Sequence, residues 1–266
     1  PRISLIVYEG PIDKEIKQLT WYYPARFSDN AVRVRQIDEI NEKWHWSSWQ
    51  WLRKDQTSDA FSLEAVFTET PAYKVVLEYM FAGFEHIIPM GLDHIFFILG
   101  IFLLSTRLKP LAGQATMFTL AHSITLSLSM FNIISLPASI VEPLIALSIA
   151  YIGIENIFAH KLKNSRLALV FAFGLLHGLG FASVLADFGM PQHAYASALI
   201  GFNLGVEVGQ LAILSSAYFG ITIWFKNKQH FHTYITVPGS VLIGITGLYW
   251  TWDRFSWAAI SSAISG

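Results

Sequence analysis

Along the first 72 residues, short apolar runs alternate with turn-forming stretches. From residue 75 onward the runs become long and nearly uninterrupted. The early runs (residues 3–8, 19–23, 31–37, 44–52 and 61–67) have the length and spacing of β-strands. The segment Trp44-His45-Trp46-Ser47-Ser48-Trp49-Gln50-Trp51 alternates in part, as a strand with one apolar face does. These elements predict a small, sandwich-like β-rich domain outside the membrane over residues 1–74. Six apolar windows follow, at residues 75–105, 111–131, 140–158, 167–185, 194–225 and 233–250. Each is near or above the roughly 20 residues that cross about 30 Å of hydrocarbon. They predict a mostly α membrane domain of about six transmembrane helices over residues 75–252, with a short tail at 253–266. The first and fifth windows are long enough to be tilted or kinked, and Pro89 with Gly91 supplies a kink in the first.

Composition agrees with this division. The chain has 266 residues, 53% hydrophobic and only 14% charged, against about a quarter charged in an ordinary soluble domain. Ten of the eighteen Lys and Arg lie within residues 1–74. Arg107 and Lys109, then Lys161, Lys163 and Arg166, then Lys226 and Lys228 fall in alternate gaps between apolar windows, whereas the gaps at 132–139 and 186–193 hold none. The positive-inside rule puts the basic gaps in the cytoplasm. The β-rich domain and the C-terminus then face outward, into the periplasm if this is the inner membrane of a bacterium. A net charge of −1 gives no basic surface for nucleic acid. The chain begins at Pro1 and enters strand-like sequence at once, which suggests a processed or trimmed N-terminus.

Cysteine is absent, so any metal must be held by nitrogen and oxygen ligands. Ionisable groups in hydrocarbon are costly and need partners or a role. His86, Met90, Asp93 and His94 stand at i, i+4, i+7 and i+8, one face of a continuous helix, with Glu85 beside them. His122 lies in the second window near Thr119, Ser123 and Thr125, and His177 in the fourth. Asn203, Glu207 and Gln210 share a face in the fifth. Asp93, His94, His122, His177, Asn203 and Glu207 all fall in the middle half of their windows. Imidazoles with one or two carboxylates at similar depth suit Zn, Ni or Co. The expected metal ligands are His86, Asp93, His94, His122, His177 and Glu207, supported by Asn203, Gln210 and Ser123. A buried hydrogen-bond network that merely holds the bundle together is the simpler alternative. Glu142 and Glu155, near helix ends, are expected to reach water, Glu155 with Asn156 being the one inner candidate for an exit site. His160, His193, His230 and His232 are expected in solvated loops, and the Trp cluster at 44–51 in a core or interface. Gly201, Gly205 and Gly209, and Gly174 with Gly178, recur every fourth residue and predict close helix packing.

The segment from Gly83 to Phe97, with Glu85-His86 followed by Asp93-His94, resembles the first-helix signature of the HupE/UreJ family. Phe118-Thr119-Leu120-Ala121-His122-Ser123-Ile124-Thr125-Leu126 resembles its second-helix motif. Leu176-His177-Gly178-Leu179-Gly180-Phe181-Ala182 and Phe202-Asn203-Leu204-Gly205-Val206-Glu207-Val208-Gly209-Gln210 resemble the fourth and fifth. The resemblance spans about residues 75–225 and implies a nickel or cobalt permease, in some members with an exported N-terminal domain. Two details depart from the pattern. His86 lies one residue further from Asp93, which would turn it by about 100° on a continuous helix unless Pro89 absorbs the change. The fourth-helix motif keeps only His177 of its polar residues.

Three functions fit. A transporter would pass a divalent ion through a midplane site. An intramembrane zinc hydrolase would hold Zn on three His, with Asp93 or Glu207 as general base. A metal-stabilised sensor would use the outer domain to bind a periplasmic partner.

Overall fold

The computed structural model describes residues 15–24, 30–38, 43–47, 50–52, 55–64, 71–105, 107–131, 133–159, 165–187, 194–225 and 228–264. The chain divides into two compact units, residues 1–71 with 187–191, and residues 72–186 with 192–266.

In the first unit the strands pair from the inside outward. β4 (Arg35–Asp38) pairs with β5 (Lys43–Trp46), β3 (Asn30–Val32) with β6 (Gln50–Leu52), β2 (Tyr22–Tyr23) with β7 (Gln56–Thr57), and β1 (Gln18–Leu19) with β8 (Phe61–Ser62), all antiparallel. This nesting makes one long two-stranded ribbon, not the expected sandwich of two sheets, among the described residues. Twice the ribbon is stapled by a serine. The Ser58 N–H donates to the Trp21 carbonyl at 2.8 Å while its Oγ accepts from the Trp21 N–H at 2.8 Å. Ser47 and Val34 repeat the arrangement, both bonds at 2.9 Å. A hydroxyl standing in for a carbonyl lets pairing continue across a change of register, so the backbone groups there stay satisfied. The strand expected at 3–8, Trp49, His160 and His193 lie outside the described residues.

The second unit is helical: α1 (Ala72–Ile87), α2 (Leu92–Leu103), α3 (Leu108–Met130), α4 (Ala138–Phe158), α5 (Ser165–Asp187), α6 (Tyr195–Ile221), α7 (Lys228–Phe231) and α8 (Val237–Ile264). A 3₁₀ turn extends α6 to Trp224, and a π-helical turn, His232–Thr236, joins α7 to α8. His230 and His232 are thus helical, not in loops, and the expected tail at 253–266 is helix through Ile264. Three helical segments, Ala138–Phe158, Tyr195–Trp224 and Gln229–Phe255, are long and apolar enough to cross a membrane. The α1–α2 pair makes a fourth if it counts as one span. Large apolar side chains remain exposed along the outer faces, such as Ile140, Leu144, Leu147, Tyr151 and Ile154 on α4, and Leu242, Ile245 and Tyr249 on α8. In water such stripes would be a liability; against lipid they are the expected exterior.

Glycine sets how closely the helices pack. A Cβ on Gly201 would strike the backbone of Val76, and one on Gly205 that of Met80, so α1 and α6 lie in backbone contact, parallel. Gly174 and Gly178 do the same for α5 against α3, at Phe118 and His122. Gly153 against Gly244, and Gly247 against Ala150, bring α4 and α8 together antiparallel. Small residues at four-residue spacing permit this in lipid, where dispersion and backbone proximity replace the hydrophobic effect between helices.

The short helix α2 sits amid these pairs. His94, Phe97, Ile98 and every residue from Gly100 to Leu103 are buried, which marks a helix enclosed over most of its surface. Its twelve residues reach only about 18 Å. The apolar centre of the unit is built around it, from Phe97, Ile101 and Phe102 to Phe118 on α3, Ile152 on α4 and Leu214 on α6.

Candidate metal centre

The first apolar window is two helices, not one kinked span. The chain breaks between Ile87 and Leu92, across a cis Ile88–Pro89 bond and Gly91, and the helices diverge by 72°. Proline removes a helical N–H and clashes with the preceding turn. Gly91 is required for a separate reason: a Cβ there would collide with the His86 carbonyl, so only glycine lets α2 start back over the end of α1. On a continuous helix His86 and His94 would stand about 12 Å apart along the axis. The break brings their ring centroids to 4.7 Å. The shared helical face read from His86, Met90, Asp93 and His94 does not exist, and Met90 is exposed.

His122 on α3 completes the group. Its ring lies 6.3 Å from His86 and 5.9 Å from His94, and a nitrogen from each of the three rings lies within 4.8 Å of the others. Gly178 allows α5 against the backbone of His122, and α5 carries His177 to 5.1 Å from the His94 ring. His177 Nδ1 is 2.8 Å from the Phe173 carbonyl. A carbonyl only accepts, so that nitrogen carries the proton and Nε2 bears the lone pair, the arrangement of metal-binding imidazoles. Phe118 packs against His94, His122 and His177, closing the group from one side.

His94, His122 and His177 are buried. His94 Nε2, both nitrogens of His122 and His177 Nε2 meet no partner at hydrogen-bond geometry, though Asn203 stands beside His122. A buried polar atom left unpaired costs about 1–3 kcal/mol. Several converging imidazole lone pairs fit a bound divalent cation and do not fit a hydrogen-bond network that merely secures the bundle.

The carboxylates stand elsewhere. Asp93 lies in the first turn of α2, where the helix dipole favours a negative charge, and is gripped by Arg254 of α8 at 2.8 and 3.0 Å. Arg254 also donates to the Glu142 carbonyl at 3.2 Å and stacks on Trp250. Glu207 of α6 accepts from Thr116 and Thr119 of α3, both at 2.6 Å, and Gln210 meets Thr119 at 3.2 Å. Neither Asp93 nor Glu207 joins the imidazole set. The Asn203 amide and the Ser123 hydroxyl bond carbonyls of their own helices, Leu199 and Thr119. Glu155, expected at a solvated end, is paired at 2.8 Å with Arg166, which is itself buried and donates to Gln114 at 3.1 Å. Arg254 had a legible signal: one Arg at the end of the last window, opposite one Asp early in the bundle, is a pair that lipid burial demands.

The sequence profile of the family described as HupE / UreJ protein matches residues 62–254. The chain belongs to the HupE/UreJ family. The matched stretch holds all four clustered histidines, both ion pairs and the Glu207 group. The HupE/UreJ family is associated with nickel and cobalt transport. No curated protein and no solved structure matches the chain.

The Asp93–Arg254 pair ties α2 to α8, and its two side chains are only 26% and 23% exposed. Its coupling should fall between the exposed and buried limits, about 1–2 kcal/mol. Unfolding midpoints of Asp93→Ala, Arg254→Ala and the double variant in detergent should show that coupling; additive losses would mean the pair is idle.

Proposed function

We propose that this HupE/UreJ protein carries a divalent transition-metal ion, of the Ni, Co or Zn type, across the membrane through a site formed by His86, His94 and His122, with His177 flanking it. The observation that carries this reading is the set of buried imidazole nitrogens without hydrogen-bond partners on α2, α3 and α5, gathered where α1 ends and α2 begins. Neutral nitrogen donors suit these borderline metals, and the absence of thiolate keeps binding reversible. Broken helices beside a central site are a common transporter device. Here the break supplies two of the three imidazoles. In this reading the α1–α2 pair is the first of six crossings, with α3, α4, α5, α6 and α8 the others. The loops bearing Arg107, Lys109, Lys161 and Lys163 are cytoplasmic, and the ribbon is periplasmic. The hydrolase reading uses the same imidazoles but needs a free general base, and both candidates, Asp93 and Glu207, are engaged by other side chains.

Replacing His94 or His122 by Ala should lower nickel or cobalt affinity at least a hundredfold and abolish uptake into proteoliposomes. Affinity of the unaltered protein should fall with pH, because an imidazole must lose its proton to bind metal. Full metal content in both variants would defeat the reading, and tightly held zinc without flux would favour the hydrolase. Orientation is tested separately by single Cys residues in this Cys-free chain. A membrane-impermeant thiol reagent applied to spheroplasts should label position 57 and not position 109; the reverse pattern would invert the topology.

A further inference from the structure

The α1–α2 break leaves one degree of freedom to be fixed. On a continuous helix the preceding turns set the direction in which His94 points. After the break between Ile87 and Leu92 nothing in α1 does so, and packing must decide how far α2 is turned about its own axis.

That packing is a seam with α8. Asp93 accepts from Arg254 Nη2 at 2.8 and 3.0 Å. Three residues on, Phe96 meets Trp250 edge to face, with ring centroids 5.2 Å apart. Four residues further, a Cβ on Gly100 would come within 3.9 Å of Ile243 Cγ2. Asp93, Phe96 and Gly100 stand at i, i+3 and i+7, one face of α2, and Ile243, Trp250 and Arg254 stand at i, i+7 and i+11, one face of α8. The two helices therefore run antiparallel along this line. Arg254 is itself held in place: its guanidinium lies 5.6 Å from the centroid of the Trp250 ring, and Nη1 donates to the Glu142 carbonyl of α4 at 3.2 Å.

At about 100° per residue, His94 stands roughly 100–160° around α2 from the three seam residues. Its ring is thus turned from α8 towards His122 and His177, whose rings lie 5.9 and 5.1 Å away. The aim is sensitive to rotation. A ring nitrogen roughly 6 Å from the helix axis moves about 2 Å when the helix turns by about 20°. Metal–imidazole bonds of about 2 Å tolerate only a few tenths of an ångström.

We propose that Arg254 and Trp250 are positioning residues for the metal site: by gripping Asp93 and Phe96 they fix the rotation of α2 and so aim His94 at the other imidazoles. The proposal rests on the imidazole site described above. It also gives Asp93 a part in metal binding without making it a ligand, since the carboxylate acts through its hold on α8.

Nickel, titrated against purified full-length protein in detergent, is the probe, with X-ray absorption at the nickel edge on the saturated protein as the second readout. Arg254→Ala should weaken nickel binding at least tenfold and remove the scattering of one imidazole. Trp250→Leu should weaken binding in the same direction, and Asp93→Asn, which keeps the shape of the side chain, should do so if Arg254→Ala does not fold. In a His94→Ala background none of these changes should weaken nickel further, because the ring they aim is gone. In a His86→Ala background the loss should persist. A general loosening of the bundle would lower affinity in both backgrounds. That result, or unchanged affinity in Arg254→Ala, Asp93→Asn and Trp250→Leu, would overturn the proposal while leaving the imidazole site intact. Nickel retained in full by His94→Ala and His122→Ala would instead remove the site itself, and the positioning role with it.

Discussion

Gly91 must pass close enough to the His86 carbonyl that no Cβ can fit, and the rest of the centre follows from that approach. The backbone leaves α1 at Ile87, cannot continue helically through Pro89, and re-enters a helix at Leu92 pointing 72° away. Two histidines eight residues apart are thereby placed ring against ring. The shortened α2 is largely enclosed by the bundle, so His94 reaches His122 and His177 with its ring buried. Breaking a helix at membrane depth frees backbone groups that lipid cannot satisfy. The break is tolerated because its N–H groups find local carbonyls: Ile88 donates to Phe84 at 2.8 Å, Met90 to Glu85 at 3.2 Å and Gly91 to Ile87 at 3.3 Å.

Among the described residues of the bundle, charge is handled by two ion pairs. Asp93 with Arg254 joins α2 to α8, and Glu155 with Arg166 joins α4 to α5. Both pairs place an acid and a base at sites where either alone would be expensive. Between them the polar side chains sort by element: imidazoles around the α1–α2 break, and oxygen donors between α3 and α6. A site of neutral nitrogens binds a divalent ion without a fixed counter-charge. In the proposed transport reading, an ion held there would leave without stranding buried carboxylates beside it.

The windows of hydrophobicity were legible because each helix in lipid must be apolar over its length, and the glycine rows because backbone contact admits little else. The histidines were legible as isolated ionisable groups in those windows. What could not be read was their partnership with the acids. Asp93 adjoins His94 in sequence, yet successive side chains on a helix point about 100° apart, and Asp93 turns to Arg254 instead. Glu207 shares a face with Asn203, but one helical turn is enough to move it from the imidazoles to two threonines. The ribbon was legible as strands and mistaken for a sandwich, because alternation reveals a strand and says nothing of which strand it pairs with. Its nesting depends on turns and serine staples whose signal lies in hydroxyls, not in apolar periodicity.

The central claim is that metal is held by imidazoles from both sides of the α1–α2 break. X-ray absorption at the nickel edge, on protein loaded with one equivalent in detergent, tests it most directly. The account predicts a shell of nitrogen donors with the outer-shell scattering of about three imidazoles, reduced by one in His86→Ala. An oxygen-only shell without imidazole scattering, or a spectrum unchanged in His86→Ala, would contradict it.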